Sequence, residues 1–258
     1  MSLTDPLCLS YVDLQRQFDP AAASAAGERA HDARPGRFDA EGVRQHTAAL
    51  RSIAGAVEEL DVTELEDEID RTALLDDIRL TIDRLERTRP YVRNPALWFD
   101  HVCLGLYSLV AREPESAEQA QATAEAALAR LEALPEFLAA ASRTVSGPLP
   151  LFLETALDLR VVAETLVHET VARFAPVLED RAEVLLVAAE RARVALAEAA
   201  LAMRDAGAGA TAHTFALGED EFNHELHLGF ALGTSAPELW RYALHWREEL
   251  NAEIRNLA

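Results

Sequence analysis

The sequence predicts an all-α protein: a multi-helix array of about ten helices, the long ones antiparallel, with little or no sheet. Three observations carry that expectation. Ala and Leu make up roughly a third of the 258 residues, and both are strong helix formers. β-branched runs of alternating polarity, the mark of strands, are scarce. Helix-start signals recur along the chain.

Helices are expected near 5–17, 40–59, 63–88, 95–112, 115–132, 136–143, 149–173, 177–205, 219–228 and 236–257. Asp19-Pro20 places a capping carboxylate before a first-turn proline, and Asn94-Pro95 does the same with an amide. Thr63 to Glu66 and Ser235 to Glu238 both read as capping boxes, with an acid positioned to reach back to the cap. Over 63–88, Leu65, Ile69, Leu75, Ile78, Ile82 and Leu85 recur at helical spacing with acids and arginines between them. Over 177–205 the expected apolar face is Val184, Leu185, Val187, Val194, Leu196, Leu201 and Met203, set among alanines. Loops are expected at 27–38, 144–150 and 206–214, where Gly and Pro collect. The chain reads as a single helical domain over 1–258, with a possible sub-boundary near 144–150.

Charge excludes several functions. Acids number 44 against 24 basic residues, a formal net charge of -20, and every basic residue is Arg. Without lysine there is no Schiff base, no P-loop amine and no Ser-x-x-Lys acyltransferase. So acidic a chain is not expected to bind nucleic acid or an anionic membrane. The N-terminus has neither the basic nor the apolar region of a signal peptide, and no stretch is apolar for the roughly 18 residues a bilayer requires. Cys8 and Cys103 form no metal-type pair and read as thiols of a reducing compartment. A cytoplasmic location is the expectation.

Three constellations could carry chemistry. Around 221–227, Glu221, His224 and His227 place two imidazoles and a carboxylate at helical spacing, and Glu221-x-x-His224 is half of a di-iron carboxylate motif. His224-Glu225 begins like a zincin signature, but the second His comes one residue too early. The plainer alternative is a solvated acidic helix. In the aromatic-rich helix near 95–112, His101 shares a stripe with Leu97 and Leu104, and Asp100, Trp98 and Tyr107 are candidates to line a pocket beside it. Asp100 points about 100° away and cannot orient His101. The alternative is a hydrogen-bonded core histidine. Glu164 and His168 read as an i, i+4 pair.

The stretch Glu68-Ile69-Asp70-Arg71-Thr72-Ala73-Leu74-Leu75, then Arg93 to Trp98 through Leu104 to Leu109, and Phe215 to Phe222 near the end, resembles the bacterial domain-of-unknown-function 885 family. The resemblance implies a helical, zincin-like metallopeptidase relative about twice this long, whose His-Glu-x-x-His helix lies in the C-terminal half. This chain resembles the N-terminal half. No zinc ligand carries over to any residue here, and no cofactor is expected in this chain, although zinc would be expected in full-length relatives.

The final segment, 236–257, carries Leu239, Trp240, Ala243, Trp246, Leu250, Ile254 and Leu257 on one stripe, without a glycine cap after it, and reads either as a terminal helix packed on its own domain or as part of a larger architecture. Three functions stay open. The chain is a metallopeptidase-like half without its own zinc site, which joins a catalytic-half partner or a second copy through this C-terminal helix. Such a half is a shortened homologue, a partner-dependent subunit or a fragment of a longer zinc hydrolase. Or the chain is a stand-alone enzyme using acid/base or positional catalysis around His101. Or it is a non-catalytic protein that docks a partner helix.

Overall fold

The computed structural model describes residues 5–208, 216 and 218–257. Among them the protein is all-α, with no strand. Helix α1 (Asp5–Phe18) lies along α3 (Ala40–Glu58), and α3 along α4 (Leu65–Asp83). These three form a small layer around Leu50, Val57, Leu74, Leu75 and Ile78. The main core is built by α6 (Ala96–Val110), α7 (Ala117–Thr144), α8 (Pro150–Leu178) and α9 (Ala182–Gly207). Helix α8 packs between α6 and α9, and α7 closes on α9. Short helices α2 (Pro20–Ala25) and α5 (Pro90–Arg93) join the two layers. The chain ends in α10 (Glu219–His224), a π-helical turn Glu225–Gly229, and α11 (Ala236–Leu257).

Helix α2 follows from the Asp19-Pro20 signal: the Asp19 carboxylate accepts the Ala22 N–H, and Pro20 occupies the first turn. The Asn94 side chain likewise accepts the Ala96 N–H at 3.1 Å. At the start of α11, the Glu238 carboxylate accepts the Ser235 N–H at 2.9 Å, the expected reach-back. The box at Thr63 does not form: Glu64 stands at the N-cap position of α4, and its side chain makes no capping hydrogen bond. The expected loop at 27–38 holds one turn of 3-10 helix, Arg29–His31. Of the expected loop at 206–214, residues 209–214 lie outside the described residues.

Two expected helices, 115–132 and 136–143, are one. Helix α7 runs through Pro135. An interior proline costs about 3 kcal/mol by removing a hydrogen bond and crowding the preceding turn. Leu131, Leu134, Phe137 and Leu138, on both sides of it, are all buried in the same core. Each contributes roughly 2 kcal/mol of burial, enough to hold the two halves in line.

The buried face of α9 is also a correction. Val184, Val187, Val194 and Leu201 are exposed. The face that packs consists of Leu185, Ala188, Ala189, Ala192, Ala195, Leu196, Ala199, Ala200 and Met203. Alanine takes little room, so α7 and α8 can approach α9 closely, whereas a valine face would hold them apart. In α4, likewise, Leu65 and Ile69 are exposed, and burial begins only at Leu74.

No residue of α11 is buried. Trp240 is 66% exposed and Trp246 is 46% exposed. No helix among the described residues is long and apolar enough to cross a membrane.

Candidate functional site

The two layers meet at an aromatic cluster. Phe38 stacks on Tyr91 with ring centroids 4.0 Å apart and meets Phe18, Trp98, His101 and Phe137 edge-on. Phe38 comes from the loop before α3, and Trp98 and His101 project from the buried face of α6. The Trp98 indole N–H donates to the Tyr91 carbonyl at 2.9 Å, so its one polar atom is satisfied.

His101 is buried, and both of its nitrogens are engaged. Nε2 accepts the Gly36 N–H at 3.0 Å, and Nδ1 lies 3.1 Å from Asp19 Oδ1. An imidazole with its proton on Nδ1 satisfies both contacts. Burial on its own would raise the Asp19 carboxyl. The His101 hydrogen bond and the α2 amides outweigh it and hold the group below its usual range. Asp19, not Asp100, orients this ring. Trp98 and His101 lie in the core, while Asp100 and Tyr107 are exposed on the outer face of α6. The four pocket candidates therefore do not share one cavity wall.

Beneath the same loop lies a buried charge cluster that sequence reasoning missed. Arg130, on α7, donates through Nη2 to Ser24 Oγ at 3.1 Å and to the carbonyls of His31 and Arg34 at 3.0 and 3.1 Å. Burial lowers its pKa to about 10, with Asp32 opposing the shift and Arg112 adding to it. Arg112 clamps the Asp32 carboxylate with both Nη atoms and donates to the Ser24 carbonyl at 2.9 Å. Gly105 makes room for this, because a Cβ there would stand 2.4 Å from Arg130 Nη1. The one available signal was a single arginine on the otherwise apolar face of Ala127, Leu128, Leu131 and Leu134. The cluster ties residues 24–36 down over His101.

The 221–227 cluster forms a seam of ion pairs. Glu225 accepts two hydrogen bonds from Arg84 at 2.9 and 2.6 Å. Glu221 takes Arg87 at 3.0 Å, and His224 contacts Asp83. His227 is exposed. Glu221, His224 and Glu225 thus face the end of α4 and not a common centre, and no group of three or more metal-ligating side chains occurs among the described residues. Leu226 is buried beneath the seam. Glu164 bonds Arg160 at i, i-4, which corrects the expected pair with His168. The Cys103 thiol donates to the Leu159 carbonyl at 3.4 Å, and burial pushes it up to about 12, too high for a nucleophile.

Phe38 separates two cavities. One, of about 410 Å³, lies against the 34–39 loop, Trp98 and Phe137. The other, of about 450 Å³, lies between α3, the turn at Arg89 and the end of α7. Both are within the size range of small-molecule sites.

Residues 20–258 match the family model described as bacterial protein of unknown function, DUF885. The chain belongs to the DUF885 family. This DUF885 chain is also similar in fold to a solved structure described as a "putative lipoprotein of unknown function" from Shewanella oneidensis, at TM-score 0.86 and 16% identity. The likeness covers 98% of the DUF885 chain and 47% of the Shewanella chain, so the sequence spans about half the length of that structure. No curated protein matches it.

Proposed function

We propose that this chain is the helical, non-catalytic half of a longer DUF885-type metallopeptidase fold, and that a zinc-bearing half completes it across α11. The observation that carries the reading is the bare apolar stripe of α11. Trp240, Trp246, Leu250 and Ile254 are all exposed, although large apolar side chains in one stripe are normally covered. The fold likeness supports it, because a protein with this whole helical array continues to about twice the length. The zinc chemistry rests on the family resemblance alone, and a cytoplasmic location belongs to the same proposal. The stand-alone acid/base reading has less support, since both nitrogens of His101 are engaged within the fold.

The test begins with the reading frame beyond codon 258 and its gene neighbours, searched for a His-Glu-x-x-His helix. The product encoded there is mixed with this chain. A one-to-one complex is expected, with zinc-dependent peptide hydrolysis that this chain alone lacks and a blue shift of Trp240 and Trp246 emission. Hydrolysis by this chain alone overturns the reading, as does a complex that leaves that emission unchanged.

A further inference from the structure

We propose that the 450 Å³ cavity beside Phe38 binds a small organic oxyanion, a carboxylate or phosphate head on a flat apolar body. The proposal stands independently of the half-domain reading.

Three arginines from three elements converge there: Arg44 from α3, Arg89 from the turn before α5, and Arg143 from the last turn of α7. In a chain of net charge -20, that is a local reversal of sign. The one carboxylate on the wall, Glu86, is already held by Arg51 at 2.6 Å. Among the described residues, Arg44 and Arg143 pair only with Glu41 and Glu136, in exposed i, i±3 and loose surface contacts that an entering oxyanion can displace. Arg89 has no carboxylate within ion-pair distance among the described residues. Guanidinium groups offer paired N–H donors that match the oxygens of a carboxylate or phosphate.

The backbone fixes where Arg89 stands on the wall. Arg89 sits at φ 52, ψ 57, in the left-handed region, directly before Pro90. Glycine adopts that conformation freely, and a residue preceding proline is further restricted. Arg89 caps the Arg84–Thr88 turn there, its N–H donating to the Arg84 carbonyl at 2.9 Å, and the cap fixes the backbone from which its side chain joins the cavity wall. The remaining wall is mostly apolar, the Tyr91 ring stacked on Phe38 with Val43 and Val92, and is completed by Thr47 and Thr144. Cations on the rim and a flat aromatic wall select a ligand with a charged head and a planar body.

The test is calorimetric titration of the 258-residue chain with 3-phenylpropionate, phenyl phosphate and the uncharged 3-phenylpropionamide. At least one anion is expected to bind about ten-fold or more tightly than the amide, with an affinity that falls as salt rises. Stronger binding of phenyl phosphate assigns a phosphate head, and stronger binding of the acid assigns a carboxylate. Arg89→Gly relieves the backbone strain and removes the charge together. It is expected to melt no lower than the parent chain while losing about ten-fold in affinity. Arg143→Gln is expected to weaken the anion but not the amide. Equal affinity for amide and acid, or unchanged affinity in Arg89→Gly, overturns the proposal.

Discussion

One oxygen of Asp19 lies 3.1 Å from His101 Nδ1 and 3.0 Å from the Ala22 amide nitrogen. A single carboxylate therefore caps α2 and orients a buried imidazole on α6, joining the two layers through polar contacts where aromatic rings do the rest. Asp19→Ala removes both, and the expected loss is about 2 kcal/mol or more, the sum of a cap and a charge-assisted hydrogen bond. Asp19→Asn keeps an acceptor oxygen and should cost less than half as much. Urea unfolding of the two variants checks the order.

Gly105→Ala would place a methyl 2.4 Å from Arg130 Nη1 in a buried setting. Overpacking of this kind costs about 1–3 kcal/mol. The loss should shrink in an Arg130→Gln background, where the shorter side chain leaves space. A double-mutant cycle measures the coupling, and additive losses would show that the two residues do not interact. Proteolysis within 26–38 should speed up in the single Gly105 variant, because Arg130 anchors that segment through the His31 and Arg34 carbonyls.

His46 is buried against Phe18, with ring centroids 4.0 Å apart, and its Nε2 has no partner among the described residues. Burial lowers its pKa to about 4 from 6.5. The unfolded chain then binds the proton more readily, so stability is full above about pH 6.5 and falls as pH drops towards 4. A shift of that size sets an upper bound of about 3 kcal/mol. His46→Phe should flatten the melting temperature between pH 7 and 4, while losses below that range, from carboxylates such as Asp19 and Glu225, remain.

The Arg84–Glu225 pair docks the 219–229 segment onto the end of α4. Both groups are partly exposed, so a coupling of about 1 kcal/mol or less is expected, reduced by salt. A cycle of Arg84→Ala and Glu225→Ala at low and high salt measures it. Equimolar zinc should leave the imidazole resonances of His224 and His227 in place. A zinc-induced shift of both would return this segment to metal chemistry.

Much of the helical array was legible because its signals are local. Asp19-Pro20, Asn94-Pro95 and Ser235 to Glu238 act within one turn, and each forms the expected bond. The errors fall where a neighbour decides. Pro135 reads as a break until the core on both sides of it is known, and the valines of α9 read as its buried face until α7 and α8 press on its alanines. The site was less legible than the fold. His101 was found, but its partners Asp19 and Gly36 come from far upstream, and Arg130 gave only the faint signal of one charge on an apolar face.

The sequence by itself determined the helical class, most helix positions, the absence of lysine chemistry and the stretches that resemble the family. These depend on residue type and on spacing within a few turns. The tertiary structure decided which helix faces are covered, which carboxylate serves His101, that Glu221 and His224 face the α4 end, and that three arginines share one cavity. Helical periodicity places a side chain on a face of its own helix. Only the packing of one helix on another brings distant residues within hydrogen-bonding distance or leaves a stripe such as that of α11 open to solvent.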